Sequence, residues 1–303
     1  MKYTVTAVIP VAQYANVQPT IEVEAESWDE AKKKGDEMLR EVWGMYCEPG
    51  KELRGPSGMS ALSLAKTVKL KSAITGGEAD FSEDNHSYIA DGRVLLSGSA
   101  FADQYKHPFM KAAILPKMEG KYGIDANRIS HSWDLKAEIS TDFGHAIHKA
   151  IELVGKYGKD YQKMEKGLLD NPVIKPIVES YFEAVPLDNS LHEAFVMDAD
   201  KGICGMIDRF QILDKEQKTC NIRDMKTNGD LTKQGSPKQL KEPFAHLPNT
   251  PLGGYHLQQN FYADIVEAAG WKVNKIFIDH LTADGWKKYE IEREQVTNVL
   301  EEK

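Results

Sequence analysis

Polar and apolar residues alternate through the opening stretch MKYTVTAVIPV, which predicts a strand over Thr4–Val11. Ile21, Val23 and Ala25 alternate with Glu22, Glu24 and Glu26, the pattern of a strand with one buried face. Ser27-Trp28-Asp29-Glu30 is a capping box, and Ala31, Leu39 and Val42 behind it belong to the apolar stripe of a helix. Residues 1–60 are therefore expected to form a small strand–strand–helix unit, an accessory or partner-binding module. Glu48–Ser60, with Pro49, Gly50, Gly55, Pro56 and Gly58, reads as the linker to a main domain over residues 61–303.

Periodicity is weak from Ala61 to Glu83. His86–Val94 then reads as a hairpin turning on Asp91-Gly92. Ala100–Val154 is mostly helical, with Asp142 as the expected N-cap of a last helix carrying His145, His148 and Glu152. Tyr161–Ala184 is a polar helical segment. After Leu191 the period changes to alternation, and three strands follow: His192–Met197, Ile203–Leu213 and Thr219–Thr227. Tyr255–Ala269 is a helix ending at Gly270, with Leu257, Phe261, Ile265 and Ala268 as its stripe, and Val273–Asp279 is a buried strand.

Register follows from where the two turns are centred. A first turn between Asp200 and Lys201 makes partner numbers sum to 401, so Glu193 faces Asp208. A second turn centred on Glu216 makes them sum to 432, so Asp208 faces Asp224. Directly opposed residues share a face ~5 Å apart, and Lys226 lies on that face two residues beyond Asp224. Glu193, Asp208, Asp224 and Lys226 are thus expected as one patch across three strands. Two carboxylates ~4 Å apart repel by about 4 kcal/mol at an effective dielectric of 20. A divalent cation relieves this, and hard oxygen ligands select Mg2+ or Mn2+.

Composition narrows the class. The chain has 303 residues, 38 basic and 46 acidic, for a net charge of −8. Coating nucleic acid by bulk charge requires a basic protein, so any nucleic-acid path here must use local lysines. Lys233, Lys238 and Lys241 supply them after the third strand, in a loop with Gly229, Gly235 and Pro237; it reads equally as a mobile substrate-ordering loop and as a disordered surface loop. No apolar run reaches the ~20 residues of a membrane span, and no signal-peptide cleavage pattern is present, so a cytoplasmic location is expected. Three cysteines, Cys47, Cys204 and Cys220, fit a reducing compartment and exclude a four-cysteine iron–sulfur cluster within the chain. His145 and His148 have H-x-x-H spacing without a third soft ligand nearby. Gln258 and Tyr262, four apart, read on their own as a solvated helix face.

The order helix with G-x-x-x-H (Gly144, His148), strand with Glu193, strand with G-x-x-D (Gly205, Asp208), strand with D-x-K (Asp224, Lys226), helix with Q-x-x-x-Y (Gln258, Tyr262), strand resembles the PD-(D/E)XK nuclease superfamily, in its RecB-type, phage and mitochondrial exonuclease branch. The lead-in His86-Ser-Tyr88, Asp91-Gly92-Arg93, Ser97 and Trp133 is similar to that of the same branch, and the likeness spans Asn85–Asp279. It implies an α/β restriction-endonuclease-like core, a mixed sheet with a central three-strand antiparallel meander flanked by helices, beside the small N-terminal α+β unit. By the resemblance, Asp208 and Asp224 hold Mg2+, with Mn2+ as a substitute, and His148 is a further ligand. Glu193 is the acid preceding the G-x-x-D strand, and Lys226 lies beside the attacking water. Gln258 and Tyr262 contact DNA or support the site, alongside Glu152, Lys233 and Lys238. His145 stands where the family usually has threonine. The implied activity is that of a metal-dependent DNA exonuclease in phage-type recombination, replication or repair, working in an infected bacterial host. DNA is then the partner, with a single-strand annealing or single-strand binding protein as a second one. The competing readings are an endonuclease on the same core, a non-catalytic DNA-binding or interaction module, and a metal-dependent hydrolase of small molecules.

Overall fold

The structure, a computed structural model, describes residues 2–6, 9–12, 15–17, 20–24, 27, 30, 33–34, 67–82, 86–158 and 170–300. The chain forms two compact units, Met1–Thr67 and Val68–Lys303. In the first, β1 (Lys2–Thr6) and β4 (Thr20–Glu24) pair antiparallel, with Tyr3 opposite Val23 and Val5 opposite Ile21. Their apolar positions thus coincide, as alternation requires. β2 (Ile9–Ala12) and β3 (Ala15–Val17) form a separate two-stranded sheet. The strand expected over Thr4–Val11 is therefore split between two sheets; Pro10, which has no N–H to give a ladder, sits in the second. The capping box is half visible: the Glu30 N–H donates to Ser27 Oγ at 3.3 Å. The helix stripe through Ala31, Leu39 and Val42 and the linker Glu48–Ser60 lie outside the described residues.

The second unit is α/β. Its mixed sheet comprises β5 (Thr67–Lys71), β6 (Glu78–Ser82), β7 (Ser87–Ala90), β8 (Arg93–Ser97), β9 (Ser190–Asp198), β10 (Ile203–Asp214), β11 (Thr219–Lys226), β12 (Lys272–Thr282) and β13 (Gly285–Ile291). The order is β13-β12-β11-β10-β8-β7-β6-β5, with β9 also on β10. β8 runs parallel to β10 and β11 parallel to β12, while β9–β10, β10–β11 and β12–β13 are antiparallel. The β7–β8 hairpin turns at Asp91 and Gly92, both left-handed (φ 49° and 73°), as a two-residue type I′ turn demands.

Five α-helices lie among the described residues: α1 (Gly98–Tyr105), α2 (Lys111–Tyr122), α3 (Ala126–Tyr157), α4 (Ile174–Ala184) and α5 (Pro251–Ala268). α3 is one uninterrupted helix, capped by Asp125, whose carboxylate accepts from the Asn127 and Arg128 amides. Asp142 is therefore an interior residue, not the N-cap expected from sequence. No proline breaks the stretch, so it propagates. α5 starts at Pro251, four residues before the expected Tyr255, because Thr250 caps Gly253 and proline suits the first helical position.

α1 and α5 cover one face of the sheet, packing Phe101, Leu257 and Phe261 on Ile207, Phe210, Ile222 and Ile278. α3 and α4 cover the other, packing Ile147, Ile151 and Ile177 on Met225 and Leu281. On the α4 side lies a charge network that sequence reading did not single out. Arg209, fully buried, donates to Tyr181 Oη, to the Val185 and Pro186 carbonyls and to Asp188. Arg223 grips Asp279 through two hydrogen bonds of 2.8 and 2.7 Å. Buried guanidinium groups are tolerable only when saturated in this way. The network fastens the end of α4 to the meander.

Candidate metal and catalytic site

The site is built at a fork in the sheet. β9 lines one edge of β10 from Ile203 to Gln211. The other edge is shared: β8 pairs with Ile203 and Cys204, β11 with Arg209 to Asp214. Gly205 to Asp208 fall in the gap where β8 and β11 diverge. There the Met225 N–H, which would continue the β10–β11 ladder, donates instead to Asp208 Oδ2 at 2.7 Å. The side chain closes the fork where the backbone no longer reaches.

The observed registers are those expected. β9–β10 partners sum to 401 on both sides of Glu193 and Asp208, and β10–β11 partners sum to 432 from Arg209–Arg223 to Ile212–Cys220, with a bulge only beyond, near Asp214. Strict alternation does not hold at the site. Glu193 has φ 49°, its rung with Asp208 is missing, and the core side of β10 steps from Ile207 to Phe210. Both strands change parity at one level, so the register survives while the two acids are re-aimed.

α3 lies close over this level. A Cβ on Gly144 would sit 3.0 Å from Thr227 Oγ1, and one on Gly155 would overlap the His192 ring. With glycine at both contacts, His148 reaches the sheet, its Nδ1 3.4 Å from Asp208 Oδ2. One ligand atom each of His148, Glu193 and Asp208 lie within 4.8 Å of one another. Asp224 stands outside that trio and pairs with Lys226, Oδ2 to Nζ 2.5 Å. The structure thus gathers Glu193 with His148 and Asp208, where the expected ligand set had Asp224. His145 is exposed and outside the group, so no H-x-x-H pair forms.

Electrostatics describe a site short of positive charge. Burial, then the charges of Asp208, Glu152 and Asp224, push the Glu193 carboxyl up to about 8. Burial and Asp208 likewise raise Asp224 to about 6, against the pull of Lys226 and His148. Burial alone would depress Lys226, but Asp224 and Asp208 outweigh it and hold the amine above its ordinary value. Lys226 is therefore an ammonium at neutral pH and a source of positive charge, not a base. Two carboxylates and one imidazole whose ligand atoms lie this close could hold a metal ion, whose charge would offset the excess of negative charge.

Gln258 and Tyr262 are not a solvated face. Tyr262 is only 4% exposed, and its hydroxyl accepts from Gln258 Nε2 at 2.9 Å. Its ring occupies the fork: a Cβ on Gly205 or on Gly98 would overlap it. That is the physical reason for glycine three residues before Asp208. Gly205→Ala is expected to cost about 1–3 kcal/mol by overpacking, read as a lowered urea midpoint, and Tyr262→Leu in the same chain should recover most of it.

Glu152 faces the site from α3 but is bound by Lys149 at 2.8 Å and Lys156 at 2.5 Å. Lys233 and Lys238 are exposed on a loop that is neither free nor disordered. Backbone bonds Gly235–Asn249, Lys238–Asn249, Leu240–Leu247 and Leu231–Leu252 hold it, and Leu231, Leu240 and Phe244 anchor it in the core. Sequence reading missed two residues here. His192 is buried beside Gly155 with its Nδ1 unpartnered, and burial pushes it down to about 4. Tyr255 stands over Lys226, ring centroid 4.8 Å from Nζ. A recess of about 580 Å3 farther along α3, lined by Arg128, Ser132, Leu135 and Ile139, holds none of these acids. No helix among the described residues is long and apolar enough to cross a membrane. No family model and no curated protein matches this chain.

Proposed function

We propose that this chain is a divalent-cation-dependent deoxyribonuclease with a PD-(D/E)XK core, acting on DNA ends. The observation that carries the reading is the convergence of Asp208, Glu193 and His148 within ligand reach beside the Asp224–Lys226 pair, at a fork flanked by the Gln258–Tyr262 pair. A bound Mg2+ or Mn2+ would polarise a phosphoryl oxygen and lower the pKa of a water. The chain's own groups do the rest. Asp208, fixed by the Met225 amide, keeps its carboxylate aimed into the fork. Lys226 carries fixed positive charge to where negative charge builds on the phosphate. Glu193, held protonated by burial and its acidic neighbours, would give up its proton to a bound cation, while Asp224 is already largely ionised beside Lys226 at neutral pH. Tyr262 walls the site from behind.

Lys156 acts on Glu193 across the rim, and Lys233 and Lys238 are exposed on their anchored loop, so cationic groups are available to a polyanion despite the net charge of −8. End-labelled linear duplex, single strand and covalently closed circle, each with Mg2+, test the reading. Loss of linear DNA with the circle intact is expected. Lys226→Ala should slow it at least about 100-fold, the scale of one preorganised charge. Cleavage that ignores chelation, or that proceeds equally in Lys226→Ala, overturns the proposal.

A further inference from the structure

The ammonium of Lys226 has two partners of different kinds: the Asp224 carboxylate at 2.5 Å, and the face of Tyr255 at 4.8 Å. Tyr255 is the fifth residue of α5, and its hydroxyl donates to Asn228 Oδ1 at 2.9 Å. Asn228 lies two residues beyond Lys226, and its carbonyl is 2.6 Å from His280 Nε2 on β12, the residue opposite Lys226 in the β11–β12 register. The ring is thus latched to the segment it covers. The Lys226 side chain is only 16% exposed, so little water competes for the charge.

We propose that Tyr255 is a positioning residue that holds the Lys226 ammonium in place through its ring face, a role that rests on the nuclease reading. The argument is one of competition. A divalent cation held by His148, Glu193 and Asp208 would repel the ammonium and take up the field of Asp208 that also acts on it, leaving Asp224 as its one charged partner when charge placement matters most. An aromatic face is a partner that a divalent cation does not take over, because such an ion keeps its water and oxygen ligands, whereas the buried ammonium is already partly desolvated. A four-carbon stem with no second anchor would otherwise explore several rotamers. The latch to Asn228 fixes the tilt of the ring, and the ring fixes the amine.

Three measurements on the full chain test this. In Tyr255→Leu, kcat should fall about 10–30-fold, the scale of one desolvated cation–π contact, with KM for DNA and the Mn2+ dissociation constant unchanged. Tyr255→Phe, which keeps the face and loses the latch, should stay within about threefold of wild type. In protein labelled at the lysine ε-carbon, the Lys226 methylene resonance, assigned by its loss in Lys226→Met, should lie upfield from the ring current in wild type and Tyr255→Phe and move downfield in Tyr255→Leu. If Tyr255→Leu does not fold, increasingly fluorinated phenylalanines at position 255 keep the shape and weaken the face, and kcat should fall stepwise. Wild-type kcat in Tyr255→Leu, equal losses in the Leu and Phe variants, or an unshifted Lys226 resonance overturns the inference. A wild type that leaves DNA intact sinks the nuclease reading instead, and the resonance alone then decides whether the ring holds the amine.

Discussion

Asp208→Asn is expected to abolish divalent-cation binding at the fork and lower DNA cleavage by at least about 10³-fold while leaving the fold intact or slightly more stable. Asp208 links the helix histidine, the β9 acid and the β11 backbone at the site. It lies 3.4 Å from His148, within ligand reach of Glu193, and accepts the Met225 amide. An asparagine side chain still offers an oxygen to that amide, so the fork stays closed. What it loses is charge, and with it the several kcal/mol of transition-state stabilisation that metal-assisted hydrolysis supplies. Removing that charge also relieves Glu193 and Asp224, both of which Asp208 pushes up. The apo variant should therefore unfold at equal or higher urea than wild type. Calorimetric titration with Mn2+, urea midpoints in chelator and initial rates on labelled linear DNA read the three effects separately. Retained Mn2+ binding, or cleavage within tenfold of wild type, would remove Asp208 from the centre of the site.

Much of this geometry was legible in the sequence because strand pairing has few free variables. Once the two turns were located from Asp198–Gly202 and Asp214–Lys218, the sums 401 and 432 fixed which acids lay opposite, and both registers are observed. What alternation could not show is the change of parity at Glu193, where a non-glycine residue adopts φ 49°. That conformation is set by tertiary contacts, and it brings Glu193 to His148 and Asp208 while Asp224 is left with Lys226. The roles of glycine were also hidden. Gly205 enters the sequence pattern only as part of G-x-x-D and Gly155 carries no signal there, and the Tyr262 and His192 rings pressed on them explain the choice. The anchoring of the basic loop is hidden for a different reason: its glycines and proline suggest mobility, while Leu231, Leu240 and Phe244 are buried in the core, and three separated apolar residues leave no periodic signal.

The metal-free protein should lose about 1.5 kcal/mol of stability between pH 6.5 and 8, and a saturating divalent cation should remove that slope. Glu193 and Asp224 are raised in the folded state, to about 8 and about 6, above their ordinary values near 4. Each thus contributes stability that is complete below its unfolded value and is lost as pH rises through the folded one. Buried His192 works the other way. Lowered to about 4, it contributes stability above its unfolded value near 6.5 and loses it as pH falls. Below pH 6.5 the two tendencies oppose one another. Above it the unfolded histidine loses its remaining proton within about one pH unit, Asp224 has largely ionised, and Glu193 dominates the slope, at up to about 1.4 kcal/mol per pH unit until it titrates near 8. Saturating Mn2+ binds the ionised carboxylates of the folded state only, so Glu193 then carries no proton in either state and the falling slope should disappear over the same window. Urea midpoints in chelator and in Mn2+, at half-unit steps, give both curves, and Glu193→Gln should flatten the metal-free one. A metal-free curve that is level or rising from pH 6.5 to 8 with Glu193 intact would mean that this carboxyl is not held protonated by its neighbours, and the case for a cation at the fork would lose its electrostatic ground.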